Sequence, residues 1–278
     1  MGSRSSREVT AQWLGAAGWA FRAGGRALLI DPYVTRTGVW RVLFGRLQPD
    51  EALIHAVVPR ADWIILSHAH YDHLADAPTI AARDGAAVYA SGNGVQLLAG
   101  LGVPEAQLHQ LTPGAQFTCG PFTITAYKAP HRRFVGRVPF VGNPPPTIQA
   151  PLRAGDYRFD WLCSPLIEVD GQRILVSGGV DGEPRVQADV WLVGADGAPK
   201  WYAEMLPIVQ PRVVMPTHWD DMFRPLLSSM RPLPDRMRPW RCIDLDAFQA
   251  AVARCAPKVR VVVPEPFDEI ALGWPPCC

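Results

Sequence analysis

Short apolar runs, broken every few residues by glycine, proline or aspartate, make up most of the first half of the chain. Val9 to Leu14 and Trp19 to Arg22 read as strands, with Gly15 and Gly18 between them. Arg26 to Ile30 is an apolar run that ends at Asp31-Pro32. Trp63-Ile-Ile-Leu66 has the length and β-branched content of a buried strand, and it stops at Ser67. Leu74 to Arg83 predicts a helix, Ala87 to Ala90 a strand, and Gly94 to Leu101 a helix ended by Gly102 and Pro104. Phe122 to Tyr127 alternates again as a strand. From Arg132 to Asp160 no period is sustained and Pro139, Pro144, Pro145, Pro146 and Pro151 intervene, which predicts a long functional surface loop.

The second half repeats this texture. Leu166 to Val169 and Arg173 to Val176 flank Asp170-Gly171 and predict a hairpin. Asp189 to Val193, Pro211 to Met215 and Val259 to Val263 predict strands, and Asp244 to Cys255 a helix capped by Asp244. Strands with interspersed helices in two similar halves predict an α/β fold of two packed sheets with outer helices. The whole of 1–278 is read as one domain, with 1–8 as a disordered or tag-derived start and 132–160 as an inserted loop.

Composition narrows the classes. Hydrophobic residues at 48% against 19% charged exclude a disordered chain. The balance of 27 basic and 26 acidic residues argues against a nucleic-acid partner. No apolar run reaches the roughly 18–20 residues of a membrane helix. Met1 to Ser6 lacks an apolar signal core, so the cytoplasm is the expected location, with export as the alternative. None of the six cysteines forms a C-x-x-C pair, which argues against a zinc knuckle and for free thiols.

The chemistry concentrates in Ser67-His68-Ala69-His70-Tyr71-Asp72-His73, directly after a predicted strand. Imidazole and carboxylate suit zinc, manganese and iron. His68 and His70 share a side of an extended backbone. Asp72 and His73 follow where the chain turns into a helix, so one segment can serve two adjacent cations. The plain alternative, a histidine-rich turn in which Asp72 only caps a helix, fits this spacing less well. His131 and His218 also lie just past predicted strand ends, whereas His55 and His109 have no acidic or histidine neighbours and read as ordinary polar residues.

This pattern resembles the metallo-β-lactamase superfamily, on His68-x-His70-x-Asp72-His73, then His131, an aspartate near Gly178-Gly179, and His218, from about Trp13 to Val263. Within it, Trp13-Leu14-Gly15, Asp31-Pro32 and His218-Trp219-Asp220-Asp221 look most like the stand-alone hydrolases that include ascorbate-phosphate lactonase and N-acyl-phosphatidylethanolamine phospholipase D. The resemblance implies a four-layer αβ/βα sandwich. It implies His68, His70 and His131 around one cation and Asp72, His73 and His218 around a second. Zn²⁺ is the expected metal, with Mn²⁺ or Fe²⁺ as alternatives. The family's bridging aspartate follows a glycine that ends a strand. Here that position is Gly179, so either Asp181 bridges, or the bridge is absent and Asp220 or Asp221 supplies a carboxylate.

The implied reaction is attack on an ester, lactone or phosphodiester by a metal-activated hydroxide, with Asp72 as the catalytic carboxylate. Asp31, Asp220 and Asp221 are expected to brace the ligands. Arg132 and Arg133, with Arg137, are candidates to meet an anionic small-molecule substrate, with Trp219 beside them and Phe134 and Phe140 covering an apolar group. Arg231 to Arg241 reads as a linker, rim or homo-oligomer contact. Three other readings are weaker. A di-iron redox enzyme of this fold usually has a glutamate at the place of His70 and a flavin domain. An RNA-processing nuclease has an inserted domain. A non-catalytic metal-binding module would follow from a missing bridge.

Overall fold

Alternation along the strands sends neighbouring side chains to opposite sides, and most strands here are apolar on both. The computed structural model describes residues 9–134, 136–177, 184–234 and 242–273. In the first sheet, β1 (Thr10–Gly15), β2 (Gly18–Ala23) and β3 (Arg26–Ile30) run antiparallel. β4 (Trp63–Ile65), β5 (Ala87–Ala90) and β6 (Leu108–Gln110) then continue parallel to β3. The second sheet repeats the scheme. β7 (Gln116–Cys119), β8 (Phe122–Ala129), β9 (Leu162–Val169) and β10 (Gln172–Val176) are antiparallel, and β11 (Val190–Gly194), β12 (Val213–Thr217) and β13 (Arg260–Val261) continue in parallel. β14 (Glu269–Ala271) returns to the first sheet beside β1, so each sheet has seven strands.

The two sheets pack face to face around Trp13, Trp19, Phe21, Leu28, Ile30 and Ile65 from the first, and Ile124, Ile167, Ile174 and Trp191 from the second. Leu29, Ile64, Leu66 and Val88 point the other way. They meet the helices α2 (Glu51–Val57), α3 (Tyr71–Leu74), α4 (Ala77–Asp84) and α5 (Gly92–Gly100). α6 (Pro199–Val209) and α7 (Leu245–Cys255) cover the second sheet, with Tyr202 edge-on to Phe248 at 5.3 Å. Asp244 caps α7 by accepting from Ala247 N at 2.9 Å. The result is two mixed sheets between outer helices.

Several elements differ from the sequence expectation. The single helix expected over Leu74–Arg83 is broken into α3 and α4. Asp76 sits at the break, its carboxylate accepting from Val34 N, Thr35 N and Thr35 Oγ1, and Pro78 opens α4 without an N–H to give. α1 (Val39–Phe44) was not anticipated because it buries no residue and so shows no amphipathic period. α2 and β7 were also missed. β6 and β14 are three-residue strands, too short for alternation to reveal, and α6 carries Pro207 inside it. No helix of the described residues is long and apolar enough to cross a membrane. Cys119, Cys163, Cys242 and Cys255 are free thiols, and Cys277 and Cys278 lie outside the described residues.

The ends of β3, β4, β8, β11 and β12 open on one edge of the sandwich and deliver Asp31, Ser67, His131, Asp196 and His218. Leu28 and Leu29 are adjacent, fully buried, and belong to different cores. Leu28→Ala and Leu29→Ala are therefore each expected to cost about 2–5 kcal/mol in urea unfolding. A sheet covered on one face only would leave one of the two nearly neutral.

Candidate metal centre

Because β4 ends at Ile65, Ser67–His73 leaves the sheet and turns at once into α3, with His70 as the residue before the helix. Asp31 governs this exit. Its backbone N–H donates to Ile65 O at 3.1 Å, and its Oδ1 accepts from Ser67 N at 2.7 Å. Its Oδ2 lies 2.8 Å from His73 Nδ1. Asp31 and His218 have φ of 45° and 54°, a left-handed conformation uncommon for non-glycine residues and costly to hold. Both are buried or nearly so, and both turn the chain at the mouth of the site.

Two triads result. His68, His70 and His131 offer one set of nitrogen atoms, and Asp72, His73 and His218 a second set of one carboxylate oxygen and two nitrogens. Within each set the atoms lie within 4.8 Å of one another. His68 Nε2 is 3.0 Å from His70 Nδ1 and 3.2 Å from His131 Nε2. Asp72 Oδ2 is 3.2 Å from His218 Nε2 and 3.6 Å from His73 Nε2. Tetrahedral ligands at about 2.0–2.1 Å from a cation stand roughly 3.3 Å apart, so the spacing suits a cation at each centre.

Hydrogen-bond chemistry supports the same fit. A neutral imidazole carries one N–H, and a carbonyl or carboxylate oxygen can only accept. His70 Nε2 donates to Pro139 O at 3.0 Å, which leaves a lone pair on the Nδ1 that faces His68. His131 Nδ1 donates to Arg132 O at 2.6 Å, which puts the lone pair on the Nε2 that faces His68. His73 Nδ1 donates to Asp31, which puts the lone pair on the Nε2 that faces Asp72. The Ser67 hydroxyl lies 2.9 Å from His68 Nδ1 and can accept from it. These outer partners aim ligand atoms inward, as they do around bound metals. Burial, followed by the neighbouring histidines, pushes His68 well below its usual pKa, so it stays neutral. Burial alone would raise the Asp72 carboxyl, but His73, His218 and His70 beside it hold it well below the usual carboxylate range.

The triads form the floor of a cavity of about 410 Å³. Its walls are mainly apolar and come from three stretches: Val39 and Leu43 of α1, Phe134, Pro139 and Phe140 of the long loop, and Met222, Phe223 and Leu233 after His218. Phe159 stands 4.9 to 5.9 Å from the rings of His131, His70 and His68.

The remaining sequence candidates scatter. Asp220 is fully buried and is not turned to the donors. It accepts from Ala16 N at 3.0 Å and pairs with the Arg36 guanidinium, while His218 N donates to Ala16 O at 2.9 Å. Asp221 accepts from Phe223 N at 3.1 Å, within its own turn. Neither supplies a further carboxylate to the triads. Arg132 is buried and paired with Asp196, and it lines a small chamber behind His73 and His218 instead of the open cavity. Arg133 is exposed and is not part of the cavity wall. Trp219 stacks on Trp13 at 5.5 Å in the core. Asp181 and Gly178–Gly179 lie outside the described residues, as does most of Arg231 to Arg241. His55 and His109 are exposed, as ordinary polar residues would be.

Sequence reasoning missed Ser67, the Pro139 carbonyl, α1 and Asp196. Ser67 and Asp196 carried a signal, since each follows a strand end as the histidines do.

The Arg36–Asp220 pair holds the turn that presents His218. Asp220→Ala leaves Arg36 buried without its partner and is expected to cost about 3–5 kcal/mol in urea unfolding. Asp220→Ala with Arg36→Ala should cost clearly less than the two single changes added together. A loss below about 0.5 kcal/mol for Asp220→Ala would show that the pair does not hold the turn.

Comparison with known proteins agrees with this geometry. The family model described as a beta-lactamase superfamily domain matches residues 26–219. A UPF0173 metal-dependent hydrolase of Myxococcus xanthus is 35% identical over 130 residues, which are 46% of this chain and 40% of that protein. The match therefore spans less than half the length of that relative. A UPF0173 metal-dependent hydrolase of Carboxydothermus hydrogenoformans is 27% identical over 222 residues, 75% of this chain and 83% of that protein. The metallo-beta-lactamase fold protein YhfI of Bacillus subtilis superimposes with a TM-score of 0.59 at 16% identity, covering 95% of this chain and 99% of that one, which shows a shared fold. The chain belongs to the beta-lactamase superfamily.

Proposed function

We propose that the chain is a metal-dependent hydrolase that binds two divalent cations, Zn²⁺ first among them, and cleaves an ester, lactone or phosphodiester of a small molecule with an apolar body. One observation carries this reading: the outer hydrogen bonds of His70, His131 and His73 set tautomers whose lone pairs face two compact clusters of donor atoms. The UPF0173 relatives are named as metal-dependent hydrolases, which points the same way. Bound there, the cations would supply water activation near neutral pH and polarisation of the scissile group.

The chain's own residues do the rest. His68, His70 and His131 hold the first position, and Asp72, His73 and His218 the second. Asp72, ionised and flanked by two imidazoles, orients the attacking water and passes its proton on to the leaving group. Asp31 keeps His73 in the tautomer whose lone pair is on Nε2. Phe134, Phe140 and Leu43 exclude water from the floor and receive the apolar part of the substrate. With Arg132 turned to Asp196, binding of the substrate body falls to this apolar wall.

A panel of acyl esters, lactones and an aryl phosphodiester, run on protein of measured metal content, tests the proposal. One bond class should be turned over, and kcat/KM should rise with acyl length by up to about fourfold per methylene until the cavity is full. His70→Ala should lose bound metal and at least about a hundredfold in turnover. Full metal content together with full turnover in that variant would refute the hydrolase reading.

A further inference from the structure

The mouth of the cavity is apolar on its outside as well. Trp40 and Phe44, one turn apart on α1, stack at 6.0 Å while 73% and 70% exposed. Leu43 between them is 60% exposed and also lines the cavity, so the inner wall and the outer surface are continuous. Phe134, Val141 and Leu227 are exposed on the other two stretches that build the mouth. Arg46 Nη1 donates to Pro151 O at 2.8 Å and Leu47 N to Leu152 O at 2.7 Å, which ties the α1 segment to the long loop. A lone exposed leucine needs no explanation, but an apolar helix that runs from the cavity wall to two stacked, exposed aromatics does.

Charge decides what covers it. The three stretches at the mouth, 36–49, 131–153 and 222–234, contain nine arginines and no aspartate or glutamate, in a chain with 26 acidic residues. Arg36 and Arg132 are buried in ion pairs. Arg41, Arg46, Arg133, Arg137, Arg153 and Arg231 are exposed, and none of them forms an ion pair among the described residues. A two-fold contact between copies of the chain would set these six arginines against each other, with few carboxylates such as the exposed Asp50, beside Trp40 and Arg41, to meet them. An anionic lipid surface supplies both an apolar layer for Trp40 and Phe44 and phosphates for the arginines.

We propose that this rim docks the protein on anionic lipid bilayers, with α1 as the inserted element and the cavity opening toward the lipid. The proposal concerns the rim alone and does not depend on which bond the site cleaves.

Co-sedimentation with vesicles tests it without any turnover. Vesicles of equal parts phosphatidylglycerol and phosphatidylcholine should bind the protein. Phosphatidylcholine alone, or about 0.5 M salt, should weaken binding at least about tenfold. Trp40→Ser with Phe44→Ser, and separately Arg41→Glu with Arg137→Glu, should each weaken it at least about tenfold while leaving the thermal melt unchanged, because the altered side chains are exposed. Failure of the unaltered protein to bind the anionic vesicles would overturn the proposal, as would equal binding to both lipid compositions or by the aromatic double variant. Sedimentation velocity across a concentration series covers the rival occupant. A dimer that the aromatic double variant dissociates, with no vesicle binding, would assign the face to a second copy and overturn the proposal as well.

Discussion

Bare imidazole nitrogens aimed at one another set the terms for everything else at this edge of the sandwich. Two lone pairs about 3 Å apart repel unless a proton or a cation lies between them. Backbone carbonyls and a buried carboxylate already hold the protons of His70, His131 and His73 on their outward nitrogens. A cation at each triad would turn such contacts into coordination. The chain spends fold stability on this arrangement, with left-handed backbone at Asp31 and His218 and a buried carboxylate at Asp72. Such costs are typical of sites that folding alone would not select.

The architecture explains how donors from three distant stretches meet. Two sheets, each half antiparallel and half parallel, bring strand ends to a common edge, and residues just past those ends share one cavity. Packing holds the edge in place. Trp13 and Trp19 lie in the core between the sheets, and the Trp19 indole donates to Thr217 Oγ1 at 3.0 Å, next to His218. Ala16, in the turn after β1, bonds both Asp220 and His218 through its backbone. The first hairpin of the chain thereby supports His218, a candidate ligand about two hundred residues away in sequence.

What the sequence revealed follows the same physics. Buried strands such as Arg26–Ile30 and Trp63–Leu66 were visible because apolar runs bounded by aspartate, proline or serine are strong signals. The histidines were visible because they cluster, or stand just after such runs. Three-residue edge strands carry too few positions for a period to show, and α1 has no buried face at all. The orientation of side chains was not legible. Arg132 and Asp220 looked available next to ligand histidines, but each found a buried partner of opposite charge, Asp196 and Arg36, far away in sequence. Long-range ion pairs of this kind leave no local pattern. The Pro139 carbonyl likewise comes from a stretch whose composition announced only a loop.

The cavity joins two surfaces with different demands: a polar floor that suits cations and a rim of tryptophan, phenylalanine and arginine that suits an interface. Only the floor bears on the central claim. An anomalous-difference map at the zinc edge, from crystals of metal-loaded protein, tests it most directly. Two peaks are expected, one about 2.0–2.2 Å from His68 Nε2, His70 Nδ1 and His131 Nε2, the other at that distance from His73 Nε2, His218 Nε2 and an Asp72 oxygen. Peaks only elsewhere, or His131 and His218 turned away from the two positions, would contradict it.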